Sequence, residues 1–100
     1  MLHKDEIFSG TTSSGTYSQN TGKLVSCICK LILITATSDY TTFDFQITDS
    51  GDRIIYKKEG ITGVLRDNPD LPMRDINTMT ISTSSNDEAF SGKLSLMEVA

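Results

Sequence analysis

Cys27 and Cys29 stand two residues apart in the most apolar stretch of the chain. On a strand, residues i and i+2 share a face with Cα atoms about 6.5–7 Å apart, at or beyond the reach of an ordinary disulfide. The pair therefore reads as reduced, buried thiols acting as small core side chains. A metal ion held there would need two more thiolate or imidazole ligands. The single histidine, His3, is far away in sequence. That distance also argues against a Ser–His–Asp or Cys–His nucleophile, which needs a positioned imidazole. Asp44, Asp49, Asp52, Asp67, Asp70, Asp75 and Asp87 could supply a pair of carboxylates by type alone. All but Asp44 fall in expected turns or loops, where aspartate commonly caps its own backbone. Asp49, Ser50 and Asp52 could approach a calcium ion, but the spacing with a distal glutamate that builds an EF-hand is absent. No glycine-rich phosphate loop is present. Tyr17 and Tyr40 are the aromatic candidates for a glycan platform, and the chain has no tryptophan. The expectation is no catalytic residue, no metal site and no cofactor. A small module binding carbohydrate or calcium through Tyr17, Tyr40, Asp49 and Asp52 is the alternative.

Bulk composition points the same way. The chain has 100 residues, enough for one domain with one modest core. Its apolar content of 37% is low, and hydroxyls fill the deficit, with threonine and serine together making a quarter of the residues. Threonine suits a pleated surface and serine suits turns. That mixture fits a sheet protein with one wet face. The net charge is −4, so the basic footprint of a nucleic-acid binder is missing. Lys57-Lys58, flanked by Arg53 and Glu59, reads as a solvated, mixed-charge strand end. Anionic membranes are disfavoured on the same ground. No apolar run is long enough to span a bilayer, and the first residues lack the apolar core of a signal peptide. We expect folding in a cytoplasm.

The elements follow from periodicity. Residues 1–22 read as a polar N-terminal arm or loop, because 9–22 contain one large side chain, Tyr17. Residues 23–100 read as a single sandwich domain. Lys23 to Thr37 is the strongest strand, apolar on both faces: Val25, Cys27, Cys29, Leu31 and Leu33 on one, Leu24, Ile28, Ile32 and Ile34 on the other. It is longer than an ordinary strand, so a bulge or bend is expected near Lys30. Tyr40 to Thr48 alternates, with Phe43, Phe45 and Ile47 inward. Asp49 to Asp52 forms a turn, and Arg53 to Lys58 returns as its hairpin partner. Ile61 to Leu65 is a short strand containing Gly63. The stretch 66–75, with both prolines, is a connection. Asn77 to Thr83, a turn over 84–88 and Phe90 to Val99 complete the pattern. The reading is all-β: an antiparallel, jelly-roll-like sandwich of six to eight strands.

A strand apolar on both faces is covered on both. In a chain this short, the second cover is expected to come from a neighbouring subunit. The candidate interface comprises Leu24, Ile28, Ile32 and Ile34 of the strand, Tyr17 of the arm, and Leu71 and Met73 of the connection. The stretch FDFQITDSGDRIIYKKEGITGVLRDNPDLPMRDINTMTIST with the terminal SGKLSLMEV resembles small β-sandwich structural proteins of tailed-phage virions. The features carrying the resemblance are the Asp49–Asp52 hairpin, the segment from Gly60 to Leu65, the Asp70-Leu71-Pro72 loop and the last alternating strand. The resemblance implies a non-enzymatic decoration, neck or tail component. Such a protein would be made in the host cytoplasm and carried in the virion as a homo-oligomer contacting other virion proteins.

Overall fold

The computed structural model describes residues 3–13, 15–84 and 88–99. Nine strands run in chain order: β1 (His3–Thr11), β2 (Thr16–Asn20), β3 (Leu24–Ala36), β4 (Thr42–Thr48), β5 (Ile54–Thr62), β6 (Val64–Asp67), β7 (Leu71–Asp75), β8 (Thr78–Thr83) and β9 (Ala89–Glu98). They form two antiparallel sheets. One is ordered β1-β9-β3-β6, with β7 also paired to β3; the other is ordered β2-β8-β4-β5. Treated as one interrupted strand, β6 and β7 give eight positions, four per sheet, in the double-sheet arrangement of a jelly roll. The nine segments exceed the expected six to eight because that one strand is split and because β1 and β2 are both present.

Alternation drives the packing. Phe43, Phe45 and Ile47 of β4, Met79 and Ile81 of β8, and Phe90, Leu94 and Leu96 of β9 all point between the sheets and are buried. Each side chain withdrawn fully from water in this way contributes about 1.5–3 kcal/mol. Aromatic rings bridge the layers: Phe8 stacks on Phe45 with centroids 6.3 Å apart, and Phe43 meets Phe90 edge-on at 5.1 Å. Tyr56 lies edge-on to Phe45, and its hydroxyl donates to Asp67 at 2.7 Å, tying β5 of one sheet to β6 of the other.

Within the expected arm or loop over 1–22, His3–Thr11 and Thr16–Asn20 are strands of the sandwich. β1 is the edge strand beside β9, and β2 is the edge strand beside β8. An edge strand needs only every second side chain to face the core, and the core's apolar area comes largely from its neighbours. Phe8 supplies the anchor of β1. Thr12 is buried, and its backbone N–H donates to the Glu88 carbonyl. The tyrosine ring of β2 lies where a Cβ on Gly10 would stand, within 2.1 Å. Only a glycine at 10 leaves that room.

Two other expectations change. The short strand over 61–65 is a corner: β5 ends at Thr62, Gly63 takes φ 76°, and β6 begins in the other sheet. The proline-containing connection over 66–75 is largely an edge strand, with Pro72 opposite Ile28. Proline is tolerated there because half the N–H groups of an edge strand point away from the ladder. The expected turn over 84–88 lies mostly outside the described residues, as does Asp87.

β3 carries the expected bulge. Its register to β9 shifts between Cys29 and Leu31, leaving Lys30 as the extra residue. The break between β6 and β7 is placed against it. Asn68 Nδ2 donates to the Lys30 carbonyl at 2.9 Å, and the Lys30 ammonium pairs with Asp70, which has φ 49°. A bulge in one strand and an interruption in its neighbour thus fill each other.

Candidate interaction surfaces

The Lys30 bulge decides which residues of β3 are available at the surface. Before it, Cys27 and Cys29 face the core and Ile28 faces out. After it, the parity reverses, so Ile32, Ile34 and Ala36 face the core while Leu31 and Leu33 face out, half-buried. Ile32 and Ile34, expected at an interface, are therefore fully enclosed core residues of the single chain, and Leu24 is buried too, on the far side of a second register shift between Leu24 and Cys27. Met73 is buried opposite Cys27, and Leu71 faces the core opposite Cys29, half-buried. Tyr17 is half-buried over Gly10. Of the seven expected residues, Ile28 alone lies on the outer face.

Cross-strand register defines that outer face, since directly opposed residues point the same way. One row runs His3, Met97, Ile28, Pro72; the next Asp5, Ser95, Leu31; the next Ile7, Lys93, Leu33, Arg66. An apolar stripe of Ile28, Leu31, Leu33 and Met97 runs down the middle. Ile7, 70% exposed, stands at one side, and Ser95 is buried among these neighbours. Charge gathers at the β1 rim, where Asp5 lies 3.5 Å from His3 and 3.9 Å from Lys93. Leu31 and Leu33 are functional candidates that a strict alternation over 23–37 did not select, and Met97 joins them from β9. The signal available was Lys30 itself, a charge inside an apolar run at a position where one residue must be skipped.

The outer face of the other sheet is its opposite in chemistry. Its rows are Thr16, Ser82, Asp44; Ser18, Thr80, Gln46, Lys57; and Asn20, Thr78, Thr48, Ile54, the last an exposed apolar residue at the β5 edge. The side chains bond one another, Thr78 Oγ1 donating to Asn20 Oδ1 at 2.8 Å and Ser18 lying 3.1 Å from Thr80. This is the wet face that the hydroxyl content implied.

The sheet edges are each blunted. On β1, the Gln19 amide of β2 donates to the Ile7 carbonyl at 3.2 Å. The Tyr17 hydroxyl sits 2.8 Å from the Ser9 carbonyl and 2.6 Å from Gln19 Oε1, and its single proton serves one of them at a time. On the opposite edge of that sheet, β6 and β7 are interrupted and carry Pro72. β5 is irregular at two points along β4 and bears Lys57 and Lys58. β2 has five residues. Bulges, lysines, proline and short length are the devices that stop one sheet from adding to another.

Burial pushes the Cys29 thiol up to about 11 and raises that of Cys27, so both stay protonated and unreactive near neutrality. The Asp49 carboxylate is held below its usual range, chiefly by the backbone N–H of Arg53 and also by that of Gly51 and the Arg53 side chain. Those donors occupy the oxygens that a calcium ion at Asp49 and Asp52 would require. Tyr40 stands 90% exposed on the β3–β4 turn. Among the described residues, no group of three metal-ligating side chains is gathered.

The fold and these surfaces define an all-β jelly roll with one apolar and one hydroxylated outer face. No protein family and no curated protein matches the sequence. Solved structures do resemble it. The Drosophila NLP core, described in terms of pentamer formation and histone binding, is 15% identical at a TM-score of 0.49, over 95% of this chain and 99% of its own. A chain of infectious bursal disease virus, Gx strain, is 13% identical at 0.47, over 95% of this chain and 31% of its own. The present chain thus spans about a third of that viral chain. The virus-like particle of the extra small virus of the prawn Macrobrachium rosenbergii gives 12% at 0.42, over 99% of this chain and 80% of its own. At identities this low the likeness is one of fold alone.

Proposed function

We propose that this chain is a non-enzymatic structural component of a viral particle, assembling as a homo-oligomer through the outer face of the five-stranded sheet. The observation that carries the proposal is the stripe of Ile28, Leu31, Leu33 and Met97 on a face opposite a predominantly polar one. Blunted edges disfavour assembly by strand addition and leave faces and ends as the means of contact. The molecule's two longer dimensions, 41 and 24 Å, offer roughly 1,000 Å² in projection, and a standard interface takes about 800 Å² from each partner. The Asp5–Lys93–His3 group at the rim supplies charges of both signs, which a second copy can meet in reverse order. Within this reading, the sequence resemblance to tailed-phage virion proteins favours a decoration, neck or tail component.

Light scattering after size exclusion, over a range of concentration and salt, tests the assembly. A defined oligomer is expected, and a monomer at every concentration overturns the proposal. Mass spectrometry of purified particles tests the finer reading, which requires the chain at stoichiometric abundance.

A further inference from the structure

A cleft of about 490 Å³ opens at one corner of the sandwich, where β3 and β7 meet the β4–β5 turn. That volume suits a small ligand. Its apolar wall includes Ile55, Met73, Pro72 and Val99. Its polar groups are the more informative. Asn77, 1% exposed, is locked: its N–H donates to Thr21 Oγ1 at 3.0 Å, and its Nδ2 donates to the carbonyls of Arg74 and Asp75 at 3.0 and 3.4 Å. Those two bonds fix which way the amide faces. Asn77 Oδ1 is left buried with no partner among the described residues. A buried acceptor without a donor is costly, and native proteins seldom leave one unsatisfied.

Charge completes the pattern. Arg53 and Asp49 in the cleft neutralise each other at 3.2 Å. Arg74 and Asp75 also line it, and neither makes an ion pair among the described residues. The cleft therefore offers one spare guanidinium, one spare carboxylate and an apolar wall, with the Asn77 side chain enclosed behind it. We propose that this cleft binds a small zwitterion with an apolar body, the chemistry of a free apolar α-amino acid. The ligand's ammonium would face Asp75. Its carboxylate would face Arg74, and its side chain would lie on the apolar wall. The inference does not rest on the assembly reading.

The test is an NMR titration of the full chain with L-phenylalanine, N-acetyl-L-phenylalanine and L-phenylalaninamide. The proposal expects amide shifts confined to Arg74, Asp75, Asn77 and the β4–β5 turn. It also expects the acetylated and amidated compounds to bind about tenfold more weakly, or worse, each having lost one charged contact. Arg74→Gln and Asp75→Asn should weaken phenylalanine by a similar factor at unchanged melting temperature. Both positions are exposed, and asparagine tolerates the φ of 59° at 75. Absence of shifts at millimolar phenylalanine, equal binding of all three compounds, or unaltered binding by both variants overturns it.

Discussion

Leu31 and Ile32 are adjacent in sequence, yet the same substitution should fail in opposite ways at the two positions. Leu31 is half-buried on the outer face opposite Ser95, so Leu31→Lys forfeits about half the value of a buried leucine, roughly 1 kcal/mol, and the lysine stem can lie along the stripe with its ammonium in water. The monomer should keep its fold. In a pair of copies meeting through this face the ammonium would be stripped of water twice over, once per subunit. We expect the dissociation constant to rise at least a hundredfold, equivalent to about 3 kcal/mol. Ile32 has no exposure and lies in the core row with Leu94. Truncating such a side chain costs about 2–5 kcal/mol, and an unpaired ammonium in its place adds several more. Domains of this size hold about 5–15 kcal/mol in total, so Ile32→Lys should not fold. Urea titration followed by circular dichroism reads the first quantity and light scattering reads the second. An Ile32→Lys protein that folds, a Leu31→Lys protein that does not, or one that still assembles refutes the parity reversal at Lys30 or the face assigned from it.

Gly92→Ala should lower thermal stability by about 1–3 kcal/mol or more, because the new Cβ would stand 2.1 Å from the Leu33 carbonyl oxygen and backbone cannot yield as a side chain would; a melting curve decides. Stability should also fall in alkali. The Cys29 thiol titrates at about 11 when folded against 9.0 when free, so the native state holds a proton that the unfolded chain has lost. That contribution is complete below pH 9.0 and disappears toward about 11. The Tyr56 phenol, raised by burial and by Asp67, acts in the same sense above pH 10.0. Denaturant titrations from pH 8 upward should show the slope flatten in Cys29→Ala, and an unchanged slope refutes the assignment. Finally, Tyr17→Phe combined with Gln19→Ala leaves the Ile7 and Ser9 carbonyls of β1 without their side-chain donors. Each lost bond costs about 0.5–1.5 kcal/mol, and the freed edge should aggregate faster on shaking than the parent protein.

Much of the fold is legible in local alternation. β4, β8 and β9 declare their inward residues because each is flanked on both sides within its sheet, so their apolar residues recur with a period of two toward the core. β3 is legible in existence, length and even in its bulge. The partition of its two faces is not, because one skipped residue inverts everything after it. Strands at the margins escape for a different reason. β1, β2 and β7 bury few side chains of their own, and their sequences carry polar or proline residues that a central strand would exclude. Their strand state comes from ladder bonds to β9, β8 and β3, which no local pattern encodes. The cleft at Asn77 is a product of tertiary closure, assembled from residues spread between Ser26 and Val99.

The unlike outer faces also set a limit on growth. Two copies pressed together through the apolar stripe of Ile28, Leu31 and Leu33 use that surface up, and a twofold contact of this kind closes on itself. What such a pair shows to its surroundings on both sides is the hydroxylated sheet of Thr16, Ser18, Thr78 and Thr80. The pair is then a finished brick with two water-loving sides. Any lattice built from it must be mortared at its ends, through the turns between strands, where the chain has the greatest freedom to vary without disturbing either sheet.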